Sequence, residues 1–240
     1  MQAMNAKTLE LISDELDLMR RLLPLSGAKV IDLGCGKAEM PRRLLEDRLV
    51  ASVTGLEVDH VQHAQNLAAA PVARLDFVFA GADDIPFGAN SFDIAMMFKS
   101  LHHVSLDSLD RALAEIERVL APGGVLYVSE PVFAGEFNEL VRLFNDEEVV
   151  RKAAYEALGR AISTRLMEGV VEKRFDTPLA FRDFDEFFRR VVKATHSDHT
   201  LVGDQLAEVK QRFERHSTPQ GVRFVRPMRV NVLRKRGGNG

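Results

Sequence analysis

VIDLGCGKAEM, residues 30–40, runs from an apolar β-like segment through Asp32 into two closely spaced glycines, then into a stretch of helical character. A strand that breaks into glycines and resumes as a helix is the first junction of a strand–helix–strand unit, and open parallel sheets bind ligands outside such junctions. Gly34 and Gly36 let the backbone turn tightly and let a ligand lie against peptide without meeting a Cβ.

The flanking sequence extends the pattern. AKVIDL (28–33), SVTGLEV (52–58), LDFVFA (75–80), FDIAMMF (92–98) and GVLYVSE (124–130) read as five strands, the fourth apolar on both faces. Leu9, Ile12, Leu16, Met19 and Leu23 recur at helical steps, predicting a helix over 6–23 that Pro24 stops. A second helical stretch covers 60–69, and a third runs from Leu106 to Leu120, where APGG ends it. Strands alternating with helices predict an α/β protein with a doubly wound, mostly parallel sheet covered on both faces.

After Pro131 the alternation stops. Residues 135–168 read as mostly helical, 171–181 as a strand or an extended lid connection, and FDEFFRRVV and Leu201–Arg215 as helices. GVRFVRPMRVNVLRK has the alternation of a closing strand. We expect a single domain over 1–240: a cofactor-binding core (1–130), a helical cap and substrate region (131–215), and a closing strand with its tail (216–240).

Composition narrows the class. The formal charge of −3 over 240 residues gives no general attraction to nucleic acid. From Asp204 to Gly240, however, three acids face nine Lys or Arg, a solvated basic surface or an anion-facing one. Cys35 is the sole cysteine, which excludes an internal disulfide and a cysteine zinc cage and fits a reducing, cytoplasmic home. No run is long and apolar enough for a membrane span, and residues 1–10 lack an apolar signal core.

The second strand adds chemistry. Glu57 ends it, 23 residues after Gly34, where a carboxylate can accept from both hydroxyls of a ribose. Glycine turn and acid together indicate a nucleoside-containing cofactor. The third glycine of a dinucleotide fingerprint is missing, since the run reads G-C-G-K-A-E-M.

Five segments, VIDLGCGKAEM, TGLE, GADDIPFGANSFDIAMM, FKSLHHV and RVLAPGGVLYVSEP, agree in order and spacing. Over residues 28–131 they resemble the class I S-adenosylmethionine-dependent methyltransferases, nearest to the small-molecule branch with a ubiquinone-biosynthesis-type domain. The resemblance implies a Rossmann-like methyltransferase fold, S-adenosylmethionine as cofactor and S-adenosylhomocysteine as product. It implies that Asp32, Gly34, Cys35 and Gly36 face the methionine half, that Glu57 holds the ribose and that Val58 flanks the adenine. Gly81, Ala82 and Asp83 would edge that ring, and Phe98 and Lys99 would lie near the methionine amino group. The chain departs from the family in having Ala38 where a glycine is frequent, and Gly81 where an aspartate is frequent. The second departure moves the adenine contact to Asp83 or removes it.

The sulfonium methyl is already activated, so the protein's task is alignment in a dry pocket. A hydroxyl or protonated nitrogen acceptor also needs a base, for which His102, His103, His196, His199 and Glu130 are candidates. Lys99, closing an apolar strand, either snorkels to solvent or meets an acidic substrate group. His196 and His199 in THSDHT lack a further ligand, so no metal is expected. The phenylalanine-rich region after Pro131 is expected to supply the acceptor pocket. Small-molecule methylation leads; methylation of RNA or protein, and a non-catalytic cofactor-binding regulator, are the alternatives. Residues 131–200 hold 13 acids and 11 bases and show no RNA-binding module, which argues against nucleic acid. Homodimerisation is left open.

Overall fold

The computed structural model of the protein describes residues 9–193 and 201–237. Helix α1 (Glu15–Leu22) leads into β1 (Lys29–Leu33), α2 (Glu39–Glu46), β2 (Ser52–Glu57), α3 (His60–Ala68), β3 (Leu75–Phe79) and β4 (Phe92–Phe98). Helix α4 (Leu109–Val119) precedes β5 (Leu120–Pro131). Then follow α5 (Glu136–Val141), α6 (Glu148–Ser163), β6 (Met167–Phe181), α7 (Phe184–Phe187), α8 (Gly203–Glu214), β7 (Ser217–Thr218) and β8 (Gly221–Lys235).

The sheet order is β3-β2-β1-β4-β5-β8-β6, with β7 on β8. The first five strands pair in parallel, while β8 runs antiparallel to both β5 and β6. This is the expected α/β, mostly parallel, doubly wound architecture. The order reverses between β1 and β4, so the switch point of the sheet lies beside the glycine turn.

Two apolar layers cover the sheet. Ile31, Leu33, Ala95, Met97, Leu126 and Val128 pack against α4 and α6. Val30, Ile94, Met96, Tyr127 and Val230 pack against α1 and α2. The alternation along β1 and β4 explains why both faces of these strands are apolar. Each fully buried Leu or Ile in them contributes about 1.5–3 kcal/mol.

Two sequence expectations change, and a third, open in the sequence, is decided. First, the helix expected over 6–23 begins at Glu15, where the Asp14 side chain caps it by accepting the Leu16 N–H at 3.0 Å. Just before it, the Ile12 N–H donates to the Asp176 carbonyl and the Asp176 N–H to the Glu10 carbonyl, both at 2.8 Å. These bonds cover the edge of β6, and that pairing wins over helical periodicity. Second, the helical reading of 135–168 ends early, because β6 starts at Met167. Third, of the strand and the lid connection open for 171–181, the strand is the one present, and it belongs to the main sheet.

That strand runs on beyond the main sheet. The pairing of β8 with β5 ends at Met228 opposite Pro131, yet β8 and β6 continue together down to Val222 and Phe181. A two-stranded arm therefore projects past the C-terminal edge of β5. It carries α5, α7 and α8 on a core of its own that includes Phe137, Phe181, Phe187, Phe213 and Phe224. These phenylalanines are consumed in packing one another, with ring centroids 5.0–6.4 Å apart.

Candidate functional site

The turn after β1 is held by three elements. The Gly34 and Cys35 N–H groups both donate to the Leu56 carbonyl at 2.9 Å, tying the turn to β2. The Ser100 hydroxyl donates to the Leu33 carbonyl at 2.7 Å, tying it to the end of β4. From α3, the buried Asn66 amide donates to the Gly36 carbonyl at 2.7 Å, and Gln62 braces Asn66 at 3.0 Å.

Gly34 and Gly36 both lie in the left-handed region, at φ +73° and +51°, but their surroundings differ. A Cβ on Gly34 would stand 2.7 Å from the Ser100 Cβ, whereas a Cβ on Gly36 would meet nothing within 4 Å. Gly34 thus serves close packing, and Gly36 borders open space. Ala38, where the family is frequently glycine, has φ +54° with its methyl fully buried, a conformation costing about 1–2 kcal/mol.

Two carboxylates face this turn. Glu57 is buried and heavily bonded: its Oε2 accepts the Gly36 N–H at 2.8 Å, and its Oε1 accepts the Val58 and Asp59 N–H groups at 2.9 Å. Asp32 is buried too, but among the described residues its Oδ1 has no hydrogen-bond partner. Burial, and then the charge of Glu57, push the Asp32 carboxyl up to about 8. A buried carboxylate that lacks a donor is a place for a cationic or donating ligand group.

The remaining cofactor-side residues gather at the ends of β2 and β3. Val58 is exposed, and it and Asp83 both flank Gly81. The Asp83 Oδ1 lies 2.7 Å from where a Gly81 Cβ would stand, so a side chain at 81 would make the Asp83 carboxylate swing aside. Ala82 is half-buried between them. Cys35 turns its thiol inward against Gly55, whose own Cβ would come within 2.9 Å of the sulfur. Burial, Asp32 and Glu57 all raise that thiol well above the ordinary range, which leaves it inert.

At the end of β4, Phe98 packs on Tyr127 and the exposed Lys99 has φ +55°. The histidine pair follows. His102 is 4% exposed, with Nδ1 held by the Glu130 carboxylate and Nε2 3.7 Å from Glu147. Burial disfavours the imidazolium, but Glu130 and Glu147 outweigh it and raise His102 to about 9. Glu130 also accepts the Leu101 N–H at 2.9 Å, so one carboxylate fixes both the turn and the ring. His103 is exposed, its ring tilted 43° to that of His102 with centroids 4.1 Å apart. His196 and His199 lie outside the described residues.

Glu147, Asn66, Gln62 and Ser100 were not identifiable from sequence. All four are polar residues whose roles depend on contacts from other elements. Only the i,i+4 spacing of Gln62 and Asn66 on one helix face hinted at a shared task. One ligand atom each from His102, His103 and Glu147 lies within 4.8 Å of the others. Glu147 is already gripped by Arg151 at 2.5 Å and by Asn145 at 2.9 Å, so a cation there would abut a guanidinium.

Residues 31–128 match the model of the methyltransferase domain family. The O-methyltransferase cnsE of Penicillium expansum is 35% identical over 136 residues, 52% of this chain and 47% of that one. The ubiquinone/menaquinone biosynthesis C-methyltransferase UbiE of Bartonella bacilliformis is 37% identical over 110 residues, 42% of this chain and 40% of that one. The chain spans about half the length of the curated relatives it matches. Among solved structures, YcgJ of Bacillus subtilis aligns with a TM-score of 0.64 at 18% identity, covering 93% of this chain and 99% of that one. The cyclase SpnF aligns at 0.60 with 23% identity, covering 92% and 80%. The structural likeness establishes the fold.

Proposed function

We propose, from the premise that residues 31–128 form a class I S-adenosylmethionine-dependent methyltransferase domain, that this chain transfers a methyl group to a small-molecule acceptor by in-line displacement. The observation that carries this reading is the unpartnered, buried Asp32 carboxylate beside a turn whose Gly36 faces open space. The donor set suits S-adenosylmethionine: Asp32 can take its ammonium group, Gly36 admits its backbone-facing surface, and Glu57 retains one free lone-pair site for a ribose hydroxyl. Val58, Ala82 and Asp83 would border the adenine. When bound, the cofactor supplies a methyl group on a sulfonium leaving group.

The chain's own residues hold and enclose. The Glu57–Gly36 bond sets the turn before any ligand arrives, which lowers the ordering cost of binding. His102, cationic at neutral pH with Glu130 and Glu147 at its two nitrogens, is suited to positioning the Leu101–His103 turn rather than to accepting a proton. Its neighbour His103 and the chain's Lys99 remain the candidate groups open to an acceptor. The β6–β8 arm overhangs the C-terminal edge and would form one wall of the acceptor pocket, excluding water.

Incubating the protein with methyl-labelled S-adenosylmethionine and separated metabolites, RNA and protein tests the reading. Label should enter the metabolite fraction. Label in RNA or protein alone would move the assignment to a macromolecular acceptor, and cofactor binding without transfer would favour a non-catalytic role.

A further inference from the structure

Arg226 has a guanidinium with no acceptor. Its Nε is buried without a hydrogen-bond partner, and among the described residues no carboxylate lies within ion-pair distance of it. Lys99 likewise makes no ion pair among the described residues. Arg226 is half-buried, and a donor buried without an acceptor is costly, so such a group is normally paired or awaits a ligand.

The two cations share one corner of the molecule. Lys99 follows β4 directly, and its N–H donates to the Ser129 carbonyl at 2.8 Å. Arg226 precedes Met228 on β8 by two residues and so lies on the same sheet face, the face that α1 covers. Because β5 ends opposite Met228, Arg226 stands beyond the C-terminal edge of β5. Lys99 feels Arg226: desolvation, then the Arg226 charge, lowers its ammonium, although its side chain keeps contact with solvent. Burial, then Arg151, lowers the Arg226 guanidinium.

Most neighbouring acids are engaged elsewhere, while the exposed Glu39 acts on Lys99 through its charge alone. Glu15 acts on both cations but accepts the Tyr127 hydroxyl at 2.8 Å. Glu130 holds His102, and Glu147 holds Arg151. Lys99 and Arg226 are left without an ion-pair partner among the described residues.

We propose that Lys99 and Arg226 form a carboxylate-recognition site for the methyl acceptor, which is therefore a small acid bearing its carboxylate near the methylated atom. This rests on the methyltransferase reading and deepens it. The same chemistry could come from the amino-acid carboxylate of the cofactor. Placement favours the acceptor, because β8 is two strands beyond β4 on the side away from β1 and β2, which hold the cofactor turn. A planar guanidinium fork with a flexible ammonium beside it suits a carboxylate.

Calorimetric titration of wild type, Lys99→Met, Arg226→Met and Arg226→Lys decides the matter. The probes are salicylate, para-hydroxybenzoate and their methyl esters, with and without S-adenosylhomocysteine, which is also titrated alone. At least one acid should bind wild type about tenfold more tightly than its ester, and each methionine variant should lose about tenfold, with Arg226→Lys losing less. S-adenosylhomocysteine affinity should change less than about twofold, too little to be a lost charged contact. Absence of any acid-over-ester preference in wild type, or its survival in the exposed-residue variant Lys99→Met, overturns the site. Variants that lose S-adenosylhomocysteine instead assign the pair to the cofactor and overturn the acceptor role. Acid binding by a wild type that ignores S-adenosylhomocysteine would strike the proposed function itself, and the acceptor role with it.

Discussion

The Glu57 carboxylate reaches back across the first strand–helix junction and accepts the Gly36 N–H at 2.8 Å. The residue expected to grip a ribose is thus also the residue that shapes the turn. Three backbone donors converge on it, so removing it leaves buried amides unsatisfied.

Glu57→Ala should therefore do more than weaken cofactor binding. The lost contact to the ribose should cost about 1.5–3 kcal/mol of affinity. The structure adds a stability loss of about 1–3 kcal/mol from the unpaired amides, a fall of several degrees in Tm. Thermal melts without ligand beside calorimetry with S-adenosylhomocysteine separate the two. A variant with unchanged Tm would contradict the bracing role.

The two glycines should fail differently. Gly34→Ala brings a methyl to 2.7 Å from Ser100 at φ +73°, so it should destabilise the protein by about 2–4 kcal/mol. Ser100→Gly in the same chain should recover part of that loss. Gly36→Ala meets no atom, so only its φ of +51° costs, about 1–2 kcal/mol. It should nevertheless reduce cofactor affinity about tenfold or more. Equal Tm losses in the two variants would refute the distinction.

Asp32 gives a pH signature. Its carboxyl rises from 3.8 to about 8 on folding, so the unfolded chain ionises first and stability falls as pH rises between those values. Asp32→Asn should remove that penalty and raise Tm at pH 8, while weakening S-adenosylhomocysteine about tenfold or more. Binding to wild type should release a proton near pH 7, measurable from the buffer dependence of the heat. A destabilised Asp32→Asn at pH 8 would count against an unpartnered carboxylate.

His102 has the opposite dependence in mechanism but the same sign. Its imidazolium is favoured by folding, up to about 9 from 6.5, so its stabilisation is complete below pH 6.5 and disappears as pH rises through 9. His102→Gln should flatten the stability profile across that window. An unchanged profile would show that Glu130 and Glu147 do not charge the ring.

The parallel core was legible because its signals are local: apolar runs, a glycine break and an acid at the next strand end lie within a few residues of where they act. The left-handed turn at Gly34 and Gly36 could be read, but not the reason each glycine is bare, since Ser100 arrives from β4. The periodicity of Leu9 and Ile12 misled because edge pairing with Asp176 is a contact across more than 160 residues of chain. The strand beginning at Met167 alternates only loosely, with Glu168, Gly169 and Val170 exposed in succession, and so carried little signal. Arg226 showed only as one of nine basic residues near the end, and its lack of a partner is a property of the folded chain.

Calorimetric titration of the wild-type protein with S-adenosylhomocysteine tests the central claim most directly. The account predicts saturable binding in the micromolar range, sharply reduced by Asp32→Asn and by Gly36→Val. No binding at millimolar concentration, or binding that both variants leave unchanged, would contradict it.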